Sequence, residues 1–332
     1  MKTTTILGAI ALTAVMATGA MAEAFKPAVV YDFGGRNDRS FNEAAYKGAL
    51  KFKERTGVNF RDFEIQNPSQ REQALRNFAR RGLDPIITIG FAQAAALEKV
   101  AKEFPDTHFA IVDAVVDLPN VRSIVFKEGE GSFLVGLLAA QATETDTIGF
   151  VGGMDIPLIR KFACGYKQGA KYANPDIEII ENMTGTTGAA WTDPLKGGEL
   201  ARSQFARGAD VVFHAAGLTG TGVLQAAADE GKFGIGVDSN QNYLHPGSVL
   251  TSMIKGVDVA VDKTLVDAQE GNWTSGVEVL GLAENGVSWA YDQYNAPLIT
   301  EEMKSAVEQA KMDIISGKVE VHDYMVDSSC PF

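Results

Sequence analysis

The chain has 332 residues, 45% of them hydrophobic and 22% charged, with 34 glycines and 11 prolines. That composition is ordinary for a globular protein and excludes long disorder, collagen-like repeats and an extended coiled coil, and the length suits one large or two medium domains. A formal net charge of −12 argues against a nucleic-acid binder, and two cysteines with four scattered histidines leave no dense disulfide scaffold and no spaced zinc motif.

The first element is an address. Met1 and Lys2 precede an apolar, small-residue run from Ile6 to Ala20, and Ala20-Met21-Ala22 matches an A-x-A cleavage pattern. This reads as a secretory signal peptide over 1–22, cut after Ala22. The run is short and interrupted for a membrane span, and no cysteine stands at the cleavage point to carry a lipid. The expected product is exported, to the periplasm in a double-membrane cell. Export permits a disulfide, and the even count favours pairing Cys164 with Cys330.

Strands are predicted at Ala28–Phe33, Val58–Glu64, Asp84–Gly90, His108–Val112 and Val121–Phe126. Four more follow at Thr147–Gly152, Ile177–Met183, Asp210–His214 and Phe233–Val237. Helical patterns lie between and after them near 40–56, 70–81, 92–103, 131–143, 157–173, 195–207, 219–230, 257–270 and 300–316. Ser40-Phe-Asn-Glu43 and Ser69-Gln-Arg-Glu72 have the spacing of capping boxes, and Thr300 precedes two glutamates as a further cap. Runs such as Ile86-Ile-Thr-Ile89 are apolar on both faces. Strands of that kind alternating with helices indicate parallel sheets covered on both sides, an α/β fold. The alternation restarts at Gly149-Phe-Val-Gly-Gly153, so two α/β lobes with a cleft between them are expected.

Ligands of open α/β sheets bind beyond the carboxyl ends of the strands. Three apolar runs end there in an aspartate: Asp32, Asp113 and Asp238. Each alone reads as a helix cap; three on different strands suggest a site. Carboxylates accept hydrogen bonds and do not donate, so they suit a ligand rich in O–H or N–H groups, such as a sugar, nucleoside or amine. Phe41 opens the first helix and Trp191 lies in a Gly/Thr-rich loop, where an indole can cover a lobe edge or offer a stacking face. Gly217-Leu-Thr-Gly-Thr-Gly222 follows a strand, but its spacing is not that of a dinucleotide loop and no Walker lysine follows. Lys255 reads as a surface lysine or a cleft residue. No nucleophile elbow and no Cys–His pair are present.

Asp38-Arg-Ser-Phe-Asn42 with Gly48 resembles the D-K-S-F-N…G start of the basic membrane protein family, the purine-nucleoside-type substrate-binding proteins of ABC transporters. Further matching segments follow in order. They are Phe104-Pro-Asp106, Phe109-Ala-Ile-Val-Asp113, Glu130-Gly-Ser-Phe-Leu-Val-Gly136 and Val151-Gly-Gly153. Ala215-Ala-Gly217 with Thr219-Gly220, Gly236-Val-Asp-Ser239 with Gln241, and Thr251-Ser-Met-Ile-Lys255 complete the series. The resemblance implies a two-lobed type I periplasmic-binding fold, each lobe a parallel sheet flanked by helices. One lobe would take 23–126 plus about 255–278, the other 127–254 plus about 279–332. It implies a nucleoside base stacked between Phe41 and Trp191, the latter standing where the family pattern has phenylalanine. The base edge would meet Asp32, Asp113 and Gln93; the ribose would meet Asp238, Lys255 and the backbone at Gly217, with Ser40 and Asn42 as neighbours. The implied role is capture by lobe closure and delivery to an ABC permease, by a monomer without catalysis or cofactor. A sugar ligand, a sensor role and an exported nucleoside-acting enzyme are the alternatives.

Overall fold

The computed structural model describes residues 25–332; the expected signal peptide lies outside them. The first sheet is built from β1 (Ala28–Tyr31), β2 (Arg61–Glu64), β3 (Ile86–Ile89), β4 (Phe109–Val112) and β5 (Val121–Phe126). A late strand, β11 (Gly276–Leu280), joins its edge, giving the order β11-β5-β4-β3-β1-β2, all parallel. The second sheet holds β6 (Thr147–Met154), β7 (Glu178–Gly185), β8 (Val211–Ala215), β9 (Phe233–Asp238), β10 (Val249–Lys255) and β12 (Val287–Trp289). Its order is β12-β10-β9-β8-β6-β7, parallel except for β12 against β10.

Why these segments are strands is plain from burial. Every residue of Ala28–Tyr31, Ile86–Ile89 and Phe109–Val112 is buried, on both faces. Each Val, Ile or Phe among them is worth roughly 1.5–3 kcal/mol out of water, which only a helix layer on each side can supply. The layers include α1 (Phe41–Thr56), α2 (Gln70–Arg80) and α3 (Ala94–Glu103) in the first lobe. In the second they include α4 (Glu128–Ala142), α5 (Pro157–Ala173), α6 (Pro194–Phe205) and α7 (Gly220–Asp229). Helix α8 (Val257–Gln269) packs on α1, and α9 (Glu301–Ile315) on α4. A short α10 (Tyr324–Asp327) rests on α5.

The chain passes between the two sheets three times: from β5 into α4, from β10 into α8, and from β11 into β12. The Sγ atoms of Cys164 and Cys330 are bonded, with the Cα atoms 5.6 Å apart. Asp323 reaches Lys161 at 3.3 Å, and Gln168 bonds both backbone groups of His322, so the tail lies along α5.

Two capping expectations fail. Neither Ser40 nor Ser69 caps its helix through its side chain. At α1 the cap is Asp38, whose buried carboxylate accepts from the backbone N–H groups of Ser40, Asn42 and Glu43 at 2.9–3.0 Å. This releases the Ser40 hydroxyl for another use. Before α2, Gln70 Oε1 accepts from Gln66 and Asn67 instead. Thr300 does cap α9, accepting from Met303 N at 3.2 Å. Helix α4 also starts three residues earlier than the sequence pattern, at Glu128.

Candidate functional site

The carboxyl ends of both sheets face one cleft, the place where ligands of open α/β sheets bind. Asp32, Phe41, Asn42 and Asp113 line it from the first lobe, and Trp191, Gly217, Asp238 and Lys255 from the second. Ser40 and Gln93 do not line it. Ser40 stands behind Asp238, donating its hydroxyl to Asp238 Oδ2 at 2.5 Å. Gln93 is buried and donates to the Val30 carbonyl at 3.4 Å. Phe33, Phe91, Leu158, Ile159 and Phe162 add apolar wall that sequence reasoning did not select.

Asp113 and Asp238 both sit in the left-handed region, with φ of 71° and 62°. Aspartate tolerates that region better than most residues, yet it costs on the order of 1–3 kcal/mol. The geometry turns each side chain off the end of its strand into the cleft.

Lys255 is the electrostatic centre. Its ammonium is buried, donates to Asp113 Oδ2 at 2.7 Å, lies 3.0 Å from Glu128 Oε1 and sits 5.1 Å from the Phe41 ring centroid. Burial works against its charge, but the three carboxylates Asp113, Glu128 and Asp238 outweigh it and hold the lysine pKa above its usual value. Burial pushes Asp113 up to about 6, against the pull of Lys255. It pushes Asp238 up to about 6 as well, against Lys255 and the Ser40 hydroxyl. For Glu128 burial is outweighed by Lys255 and Lys161, 3.0 Å away, which hold it low. Glu128 therefore neutralises the lysine from behind without touching the cleft. In the sequence it precedes the helical pattern that begins near 131, and nothing there marks it as a site residue.

Hydrogen bonds cross between the lobes beside the cleft. Besides Ser40 to Asp238, the Ser239 hydroxyl donates to the Ser40 carbonyl at 3.0 Å and Gln241 Nε2 donates to the Arg39 carbonyl at 2.9 Å. Gln241 Oε1 accepts from Val237 N and faces His214 Nε2 at 3.0 Å, so that nitrogen carries the imidazole proton. Burial takes His214 down to about 4 and keeps it neutral.

Trp191 is seated by glycine. A Cβ on Gly153 would lie 2.1 Å from Trp191 Cζ3, so the indole packs directly on the backbone at the end of β6. The glycines after Gly217 serve packing. A Cβ on Gly220 would lie 1.9 Å from His214 Nδ1, and one on Gly222 would lie 1.7 Å from the Pro194 carbonyl oxygen. Their spacing thus lets α7 approach β8 and α6, which accounts for it without a dinucleotide. No helix among the described residues is long and apolar enough to cross a membrane.

Comparisons with known proteins agree with this architecture. The Bmp family model, described as ABC transporter substrate-binding protein PnrA-like, matches residues 25–324. The chain is 35% identical over 320 residues to the ABC transporter nucleoside-binding protein BmpA of Lactococcus lactis subsp. cremoris, covering 89% of this chain and 88% of that one. It is 31% identical over 302 residues to basic membrane protein A of Borreliella afzelii, covering 89% and 90%. Among solved structures, an ABC transporter system solute-binding protein from Aeropyrum pernix K1 superposes with a TM-score of 0.84 at 30% identity, over 92% of this chain and 95% of that one. The periplasmic-binding architecture, the ordered motifs and the family match over nearly all the described residues lead to one assignment: the chain belongs to the Bmp family of PnrA-like ABC transporter substrate-binding proteins.

Proposed function

We propose that this substrate-binding protein captures a nucleoside, with a purine base favoured, and delivers it to the permease of an ABC importer. The observation that carries the reading is the pairing of two aromatics from opposite lobes, Phe41 and Trp191, in a cleft whose polar groups are carboxylates and one buried lysine. A planar base needs two flat faces, whereas a free sugar needs one. In this reading Asp32 and Asp113 accept from the base edge, and Asp238 accepts from ribose hydroxyls with Lys255 beside it. The Gly217 backbone closes the ribose end. The name of the Lactococcus relative, a nucleoside-binding protein, supports it.

The three crossings between the sheets act as the hinge, and the Ser40, Ser239 and Gln241 bonds act when the lobes meet. Closure excludes water from the carboxylate–hydroxyl bonds, each worth roughly 1.5–3 kcal/mol because one partner is charged. The leader pattern over 1–22 supports export, and the periplasm is the compartment this reading assigns. The protein acts by binding and release, with no chemical step. Calorimetric titration of the ligand-stripped protein with nucleosides and with ribose tests this. Tight purine nucleoside binding with little response to ribose is expected; binding of ribose alone would move the ligand to the sugar class.

A further inference from the structure

The base end of the cleft has a one-sided hydrogen-bonding character. Strand register sets Val30 beside Thr88 and Ile89 beside Val112. Continued to the strand ends, it sets Asp32, Gly90 and Asp113 in one row, with neighbours roughly 4.7–4.9 Å apart. Each carboxylate in that row has one oxygen held by a cation. Asp32 Oδ1 takes Arg71 Nη2 at 2.8 Å and its neighbour's N–H, from Phe33, at 2.9 Å. Asp113 Oδ2 takes Lys255 Nζ at 2.7 Å. The other oxygens remain. Asp32 Oδ2 leans over Gly90, 3.3 Å from where a Cβ there would stand. Asp113 Oδ1 is buried without a partner, on a side chain only 6% exposed. A third acceptor, Asn42 Oδ1, is also buried and unpartnered, because the Asn42 amide nitrogen is committed to the Asp32 and Phe33 carbonyls.

The unpartnered side-chain atoms of the row, with Asn42 Oδ1, are therefore all acceptors; the unpartnered donor nearby, Arg71 Nε, belongs to a side chain that does not line the cleft. A carboxylate paired with a guanidinium meets a ligand as an acceptor only. Guanine presents an N1–H beside an N2–H2 group. Hypoxanthine presents only the N1–H. Adenine presents the N6–H2 group beside N1, a bare lone pair that a carboxylate oxygen would oppose. We infer that the cleft selects guanosine over adenosine, and that Arg71, which does not itself line the cleft, sets this preference by holding Asp32 as an acceptor. The inference rests on the nucleoside reading above and names the base within it. Arg71 is a positioning residue: it spans from the first turn of α2 to Asp32, with its guanidinium 5.3 Å from the centroid of the Phe33 ring.

The test is calorimetric titration of the ligand-stripped protein with guanosine, inosine, adenosine and 1-methylguanosine. Guanosine is expected to bind about tenfold or more tighter than adenosine, and methylation of N1 to cost a similar factor, since each removes a charged hydrogen bond or sets two acceptors against each other. Asp32→Asn leaves its oxygen to Arg71 and the Phe33 N–H and turns an amide donor towards the base, which suits adenine N1 and opposes guanine N1–H, so the guanosine preference should shrink or invert. Arg71→Met releases Asp32 Oδ1 from the guanidinium that orients it, so the carboxylate can turn away from the base edge, which lowers the ratio; Arg71→Lys, keeping a cation, should restore part of it. A merely structural role for Arg71 would weaken both ligands together and leave the ratio unchanged. Adenosine bound as tightly as guanosine by the unaltered protein, or a ratio unmoved in both Asp32→Asn and Arg71→Met, overturns the inference and leaves the nucleoside reading standing. Failure of the folded protein to bind any nucleoside overturns both.

Discussion

Replacing Lys255 with methionine tests the electrostatic centre most sharply. The substitution keeps the stem length and removes a fully buried ammonium that sits 2.7 Å from Asp113 and 3.0 Å from Glu128. Glu128 keeps Lys161 at 3.0 Å, but Asp113 has no other cation within ion-pair distance among the described residues. Removing one partner of a buried pair costs about 3–5 kcal/mol, because the charge left behind is desolvated without compensation. At roughly 2–4 °C per kcal/mol for a domain of this size class, the melting temperature should fall by roughly 6–20 °C. The loss should depend on pH with a definite sign. The folded-state pKa of Asp113, already about 6, rises further without the lysine. A carboxyl with a raised folded pKa contributes stability that is present below its unfolded pKa and lost as pH rises through the folded value. The deficit of Lys255→Met should therefore be small in mild acid and grow above pH of about 6. Adding Asp113→Asn to Lys255→Met should recover much of it, since the orphaned charge is gone. Scanning calorimetry at acid and neutral pH reads all three quantities. A loss below about 1 kcal/mol, the size of a surface pair, or one that does not change with pH, would refute the placement of Lys255 as a buried counter-ion.

Other consequences are open to direct measurement. Asp238→Ala should weaken nucleoside binding by about tenfold or more, the loss of a charged hydrogen bond; an unchanged affinity in calorimetry removes Asp238 from the ribose. Because Asp113 and Asp238 are pushed up to about 6 and accept most strongly, and on both oxygens, when ionised, nucleoside affinity should fall as pH drops through that value, and a flat profile would contradict it. Gly153→Ala sets a methyl 2.1 Å from the Trp191 ring, so it should shift tryptophan fluorescence and cut affinity while the fold persists. Cys330→Ser should speed hydrogen exchange over 319–332, where Asp323 and His322 rest on α5, and leave nucleoside affinity unchanged.

The fold was legible wherever a strand is buried on both faces, because a run such as Ile86–Ile89 has no other soluble solution. The three late strands were not. In β10 the polar pair Thr251-Ser252 interrupts the apolar pattern, yet both are buried and donate, to the Ala290 carbonyl and to Asn242 Oδ1. Strands β11 and β12 are short, and each joins its sheet only after the chain has crossed between lobes, a tertiary condition that periodicity does not carry. Ser40 had the spacing of a cap, but a stronger acceptor, Asp38, lay two residues earlier and took the backbone donors.

At the cleft, the strand-terminal aspartates and the loop tryptophan stood out because their residue types sit oddly at those positions. Gln93 did not join them, since its side chain turns back under β1. Phe162 was not singled out because it is one apolar residue among several on the buried face of α5. Arg71 and Glu128 were not singled out because their partners, Asp32 and Lys255, are distant in sequence. Buried charge pairs of this kind become visible only when the fold brings both ends together.

We propose that the cleft between Phe41 and Trp191 holds a purine nucleoside. The most direct measurement is calorimetric titration of the protein, unfolded and refolded to strip carried-over ligand, with guanosine, inosine, adenosine, uridine and ribose. Tight, saturable binding of a purine nucleoside with little heat from ribose is the predicted result. Silence towards every nucleoside from a demonstrably folded protein would contradict the account.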